Sequence, residues 1–563
     1  MSGPTFPDAF NIADYFLYDR VAVDGLTDKC AILFGERSYS YGDVAERSRA
    51  VANALAAAGV RREERVYIVL PDTPPFAWAF FGSLTLGSVV AMGNPAASTE
   101  SLAYVVDYSR ASALITTPAV VRALSDHLRD NPFLKTVIVV PDVATGEDPE
   151  GDVEEDVLQT IGGLGVQSMT DAIAAGGAMD APSWPAIRRD DPAIWLFTSG
   201  STGHPKAAVH THRDFAFNTE VYAKDTVKYQ RDDVTVSVPR LFFGYATGTN
   251  LMFPFAVGAT TALFSERPTP QTLGAAIARH RPTVVTNVPT MMGKLLEYDR
   301  KLKEDGGEGI DMSCVRFNLS AGEALPPALL ERYIEQFSCD VYDGIGSAEM
   351  FHIYASNRPG DIREGSLGRV VDGYTIRILP QDAQGPGGES VAPGETGVMW
   401  VKGDSVALGY FQDRDKSWST FHGHWCRTGD LFRIDEDGYL WFSGRADSML
   451  KVSGQWVSPL EVEQRAISHP DVSLAAAIGV EHEGLMRLKA FVVWRDHAAE
   501  RVVNEEGRAG FREELKTHFN TSLAFHKCPR WFVFVEDLPR NDRGKVDKKA
   551  LMEAEARGEN PWE

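Results

Sequence analysis

The chain has 563 residues, 44% of them hydrophobic and 24% charged, which is too long for one small core and ordinary for a protein folded in water as at least two domains. A formal net charge of -22 argues against broad binding to nucleic acid or anionic membranes, so any phosphate must be held by a local cluster of donors. The five cysteines lie far apart with no C-x-x-C pair, which argues against a disulfide framework or zinc site and fits a reducing cytoplasm; neither Met1 to Arg20 nor the interrupted apolar run from Ala79 to Met92 predicts a leader or a membrane span.

In chain order, Ser40 with Asp43 three residues on predicts a helix start, and Val44, Val51, Leu55 and Ala58 recur on one face until Gly59 stops the run. Val66 to Leu70 then reads as a strand, and a helical pattern resumes after Pro71 to Pro75 toward Leu86. Strand signals recur at Ala113 to Ile115, Thr136 to Val140, Ala193 to Phe197, Thr261 to Phe264 and Thr283 to Thr286. This alternation predicts parallel sheets with covering helices. Asp142 to Asp190 is acidic and rich in small residues, and reads as a solvated surface excursion. Beyond Gly365 come short strands with Gly and Pro turns, through Gly394 to Tyr410. From Ser448 onward strands and helices alternate in a compact C-terminal piece that ends in the loop Pro539 to Val546.

Thr198-Ser199-Gly200-Ser201-Thr202-Gly203-His204-Pro205-Lys206 follows a buried strand signal. Glycines free backbone amides to face an anion, and hydroxyls and an ammonium add donors. The G-x-x-x-x-G-K-[ST] pattern of nucleotide loops is not matched, because His204 and Pro205 separate Gly203 from Lys206. His210-Thr211-His212 and His422-Gly423-His424 invite a metal reading, but no third ligand lies nearby in sequence. The first pair is read as support for the preceding loop and the second as a turn.

Together with Ser320-Ala321-Gly322-Glu323, Tyr342 to Glu349, Arg427-Thr428-Gly429-Asp430, Gly444-Arg445-Ala446-Asp447 and Pro539 to Val546, this loop resembles the adenylate-forming superfamily of acyl- and aryl-CoA ligases, luciferases and peptide-synthetase adenylation domains. The motifs fall in the family's order across nearly the whole chain. The resemblance implies an α/β fold: an N-terminal domain, residues 1–446, of layered α/β sheets and a β-rich subdomain, and a small mobile α+β C-terminal domain, residues 447–563, hinged at Asp447. It also implies that a carboxylate attacks ATP to give an acyl-adenylate and pyrophosphate, and that a thiol then displaces AMP. Thr198 to Gly203 and Lys206 would hold the triphosphate. Ser320 to Glu323, Asp343 and Gly344 would line the adenine, and Asp430 and Arg445 would meet the ribose. Glu349 would meet magnesium, although the family usually has Thr where this chain has Ala348. Lys545 would bridge the attacking carboxylate and the phosphate, and Ser453, Gly454 and Gln455 would flank the path of coenzyme A.

Leu241 to Gly248, Met350 to Ile353 and Lys527 to Phe534 look most like acid-pocket segments of benzoate-CoA ligases. The resemblance places Phe243, Gly244, Tyr245, Gly346, His352 and Ile353 against a small aromatic acid, benzoate or a substituted benzoate such as 2-aminobenzoate. Aromatic and glycine surfaces suit a flat ring. Leu241 to Asn250 contains no carboxylate to meet an ammonium, which lowers the peptide-synthetase reading. The rival readings are a ligase for a non-benzoate acid, one that loads a carrier protein, and a silent nucleotide-binding regulator. Lys206, Glu349, Asp430, Arg445 and Lys545 argue against the last. The sequence leaves the oligomer open between monomer and homodimer.

Overall fold

The computed structural model describes residues 3–159, 161, 165–179, 186–199, 204–452, 455–482, 484–540 and 546–559. The helix predicted from Ser40 spans Tyr41–Ala57, and its start is closed reciprocally: the Ser40 hydroxyl accepts from the Asp43 N–H at 3.1 Å, and the Asp43 carboxylate accepts from the Ser40 N–H at 2.9 Å. Its apolar face packs on Pro74–Leu86, a helix whose residues are nearly all buried. Such a helix has no polar face to offer water, so it lies between layers.

Two large sheets carry this part of the molecule. One runs Gly165–Ser168, Thr136–Val139, Ala111–Thr116, Arg65–Val69, Val89–Met92, Pro192–Ser199, Pro205–Thr211, with only the last strand antiparallel. The other is parallel from Asp340–Gly346 through Phe317–Ser320, Val284–Asn287, Val234–Ser237 and Thr260–Leu263 to Cys30–Phe34, with antiparallel strands at both ends. Strands covered on both faces read as continuous Val, Ile and Leu runs, which is why Arg65–Val69, Ala111–Thr116, Thr136–Val139, Pro192–Ser199, Thr260–Leu263 and Val284–Asn287 were legible.

The segment from Asp142 to Asp190 departs from the expected solvated excursion. Gly165–Ser168 pairs in parallel with Thr136–Val139 as an edge strand, and the helix Met169–Gly177 packs on Tyr41–Ala57. Its small residues serve close helix packing: the Asn53 amide donates to the Gly176 carbonyl at 3.0 Å, and a Cβ at Gly176 would lie 2.0 Å from the Ala50 carbonyl oxygen.

The β-rich piece joins Thr375–Leu379, Gly397–Lys402, Trp425–Ile434 and Leu440–Arg445 as antiparallel neighbours. After it, Val472–His482 pairs antiparallel with Leu485–Trp494, which pairs in parallel with Trp531–Phe534. The helices Pro459–Ile467, Glu505–Asn520 and Lys548–Arg557 accompany these strands. Two apolar clusters, one around Phe511, Leu515 and Phe534 and one around Phe491, Val535 and Leu551, are drawn wholly from residues beyond 446. Arg495 reaches across to Glu297 on the helix Pro289–Glu304, with Nη1 to Oε1 at 3.0 Å.

Candidate functional site

The site is assembled where strands end. Pro192–Ser199 and Pro205–Thr211 are antiparallel neighbours whose register sets Thr198 opposite Lys206 and Ser199 opposite Pro205, so the described ends of the predicted phosphate loop lie side by side. Gly200, Ser201, Thr202 and Gly203 lie outside the described residues. In the other sheet, the ends of two adjacent parallel strands bring Ser320 opposite Asp343. The crevice beyond the C-terminal ends of parallel strands is the usual place for a ligand in an α/β sheet.

Asp343 is buried, and burial pushes its carboxyl up to about 8. Its Oδ1 has no hydrogen-bond partner. A buried acceptor without a donor fits a ligand such as an amino-bearing purine. Ser320 and Ala321 are buried beside it, and Gly322 takes the left-handed turn, at φ +87°. Glu323, expected at the adenine, is already engaged. Its Oε2 accepts from the Thr290 N–H at 3.1 Å and the Thr290 hydroxyl at 2.7 Å, capping the helix Pro289–Glu304.

Asp430 and Arg445 face each other on neighbouring strands, and Arg445 Nη1 donates to Asp430 Oδ1 at 3.0 Å. Burial pushes Asp430 up to about 6, against the pull of Arg445. Arg445 also donates to both carboxylate oxygens of Asp447 at 3.3 Å. One guanidinium thereby ties Asp430, the carboxylate expected at the ribose, to the expected hinge. The Ser448 hydroxyl donates to Asp447 as well, at 3.3 Å.

Glu349 sits in the short turn Ala348–Met350. Two contacts fix that turn's backbone: the Ala407 N–H donates to the Glu349 carbonyl at 2.9 Å, and His210 Nε2 donates to the Ala348 carbonyl at 2.6 Å. His210 Nδ1 faces Asp214 Oδ2 at 2.9 Å, so both ring nitrogens are occupied, and His210 braces the turn before Glu349. His212 is spent elsewhere: its Nδ1 accepts from the Ile12 N–H at 3.2 Å. His422 ends a short strand paired to Trp425–Ile434, and His424 Nδ1 stands 3.8 Å from Asp404. Among the described residues no three His, Cys, Asp or Glu side chains form a metal-holding group. Glu349 alone suits a hard cation that takes its other ligands from phosphate oxygens.

The two acid-pocket segments meet. His352 Nε2 donates to the Tyr245 carbonyl at 3.0 Å, and burial pulls the imidazole down to about 3, so the ring is neutral. His352 Nδ1 and the Tyr245 hydroxyl are buried without partners. Gly346 is required by closeness, because a Cβ there would lie 2.4 Å from the His352 carbonyl oxygen; at Gly344 it would meet the Ala355 carbonyl at 2.9 Å. The space a Cβ at Gly244 would take is claimed by Leu196, 2.9 Å away. Phe243 precedes the short helix Gly244–Thr247, and the Ile353 carbonyl accepts from the Asn218 amide at 2.8 Å.

Sequence reading missed Tyr410, whose hydroxyl donates to Glu349 Oε1 at 2.6 Å. Sixty-one positions separate the two residues in the chain, and no periodicity links them. Gln455 is exposed on the strand Gln455–Val457, while Ser453, Gly454 and Lys545 lie outside the described residues. No helix among the described residues is long and apolar enough to cross a membrane.

Residues 19–411 match the AMP-binding enzyme family, and residues 461–545 match the AMP-binding enzyme C-terminal domain. The chain is 35% identical over 552 residues to a benzoate-CoA ligase of Thauera aromatica, covering 97% of each chain. It is 30% identical over 494 residues to an anthranilate-CoA ligase of Pseudomonas aeruginosa, covering 87% of this chain and 86% of that one. Among solved structures, an anthranilate CoA ligase in complex with anthranoyl-AMP aligns with a TM-score of 0.85 at 32% identity, covering 98% of both chains. A benzoate CoA ligase from Burkholderia xenovorans LB400 aligns with a TM-score of 0.81 at 34% identity, covering 96% of this chain and 99% of that one.

Proposed function

The chain belongs to the AMP-binding enzyme family, and from that premise we propose that it is an AMP-forming aryl-CoA ligase acting on benzoate or a substituted benzoate such as 2-aminobenzoate. The observation that carries the acid class is the meeting of Tyr245 and His352, 107 positions apart, in a buried aromatic wall with a neutral imidazole. A planar ring gains stacking and edge contacts there, and no carboxylate between 241 and 250 would hold an amino acid's ammonium. ATP, magnesium and coenzyme A complete the reaction; the site is cytoplasmic, in keeping with five free cysteines.

In this reading the chain's residues work by placing charge rather than by covalent catalysis. Asp343 accepts from the adenine amino group, and Asp430 accepts from the ribose hydroxyls while Arg445 fixes its orientation. Lys206, with the loop Thr198 to Gly203, opposes the triphosphate charge. Its ammonium is held below its usual range by burial and by Lys416, so it gains from an anion's arrival. When bound, magnesium spreads positive charge over the phosphate oxygens, and Glu349 is the side chain that would hold it. Lys545 is assigned to the attacking carboxylate, and residues 447–563 to a body that turns about Asp447 to bring Ser453, Gly454 and Gln455 beside the thiol for the second step. The test is pyrophosphate release from ATP across an acid panel. Release that depends on a benzoate is the expected result; none with any acid, or release with amino acids alone, overturns the proposal.

A further inference from the structure

Lys206 and Glu349 carry opposite charges into the same small region, yet they do not pair with each other. Tyr410 stands between them. Its hydroxyl donates to Glu349 Oε1 at 2.6 Å, and the Lys206 ammonium lies over its ring face, 3.9 Å from the centroid. The side chain is held from outside the site. Residues 407–411 run alongside the strand Pro205–Thr211, with the Leu408 N–H donating to Val209 at 2.9 Å, the Val209 N–H to Gly409 at 3.0 Å and the Phe411 N–H to Ala207 at 3.0 Å. Tyr410 is thus part of the same hydrogen-bonded ribbon as Lys206, and it is buried.

The geometry has a direct consequence. Held at arm's length in a partly buried space, a free ammonium and a free carboxylate would close into an ion pair, and each would then be less available to a third party. A phenol between them offers its one proton to the carboxylate and its electron-rich face to the cation, so each is steadied without being neutralised. Because the hydroxyl occupies Oε1 only, Oε2 remains for a metal ion. Ala348 brings no hydroxyl of its own to this turn.

We propose that Tyr410 is a positioning residue for the adenylation half-reaction: it keeps Lys206 and Glu349 apart and aimed at magnesium-bound triphosphate. This rests on the ligase reading for its half-reaction, but not for its binding arm. The experiment compares wild-type protein with Tyr410→Phe, which keeps the ring under Lys206 and removes only the oxygen. Calorimetric affinities for AMP, ATP and magnesium-ATP are measured first. AMP affinity should change less than about twofold, whereas magnesium-ATP affinity should fall about tenfold or more, the scale of a lost hydrogen bond to a charged group. The half-saturating magnesium concentration for acid-dependent pyrophosphate release should rise, and thioester formation from supplied acyl-adenylate and coenzyme A should stay within about twofold of wild type. In a Glu349→Gln background, adding Tyr410→Phe should cost little more, because the oxygen's partner has already lost its charge. Unchanged magnesium-ATP affinity, equal loss for AMP and magnesium-ATP, or full additivity with Glu349→Gln would each overturn the proposal. Failure of the ligase reading shows separately, as wild-type protein that binds magnesium-ATP but releases no pyrophosphate with any acid.

Discussion

Single residues at this site are tuned by burial more than by their partners. Asp430 titrates near 6 in the fold against an ordinary 3.8, because burial penalises its charge more than Arg445 relieves it. Its stability contribution is therefore present below 3.8 and lost as pH rises through 6, since the folded state holds the proton more tightly. For ligand binding the sign reverses. In the proposed reading the carboxylate accepts from both ribose hydroxyls above 6, and below it a proton turns one acceptor into a donor. AMP affinity measured by calorimetry between about pH 5 and 7 should weaken toward tenfold per unit on the acid side, and Asp430→Asn should flatten the curve. A wild-type affinity flat across that range contradicts the assignment. Gly346 is bound by sterics instead. Because a Cβ there meets the His352 backbone at 2.4 Å, and backbone cannot turn aside as a side chain does, Gly346→Ala should lower the melting temperature by several degrees and displace His352 from Tyr245. Differential scanning calorimetry decides it, with Gly244→Ala as the milder comparison, since Leu196 has rotamers to yield.

Among elements, the helix Pro289–Glu304 shows where a motif and a fold give different readings of one side chain. Glu323 belongs to a stretch that resemblance assigns to the nucleotide, yet its carboxylate closes that helix's N-terminus through Thr290. A carboxylate there satisfies an orphan N–H and meets the positive end of the helix dipole. Glu323→Ala should lose about 0.5 to 2 kcal/mol of stability while AMP affinity changes little; denaturant unfolding and calorimetry on the same variant read both, and a large affinity loss with no stability change would return Glu323 to the adenine. Strands and caps were legible because their signals are local: Ser40 with Asp43, or the apolar runs of the parallel strands, carry their meaning within a few residues. The edge strand Gly165–Ser168 and the helix Met169–Gly177 were not, because close packing against Ala50 and Asn53 selects the same small residues as a solvated loop. The loop after Phe197, Asp430 and Arg445 were singled out through motifs, and the structure sets Arg445 against Asp430 on paired strands. Tyr410 and the His210 brace were not found, since both act on Glu349's turn across long stretches of chain.

For the whole molecule, the division of cores matters most. The residues after 446 supply their own apolar clusters, and the Arg495–Glu297 pair bridges them to the helix Pro289–Glu304. Arg495 is buried, and Met449 packs against the apolar cluster of Leu379, Val398, Trp400 and Leu431, so the junction combines a shielded ion pair with an apolar contact across residue 446. Arg445 is joined to Asp430, proposed for the ribose, and to Asp447, the proposed hinge, through one guanidinium. The central claim is that one chain activates an aryl acid and passes it to a thiol. Its most direct test is mass spectrometry of the products formed from ATP, magnesium and coenzyme A with benzoate, 2-aminobenzoate, hydroxybenzoates, phenylacetate or a medium-chain fatty acid. The account predicts a benzoyl-type CoA thioester formed with equimolar AMP; a fatty acyl-CoA alone, or an acyl-adenylate that never becomes a thioester, would contradict it.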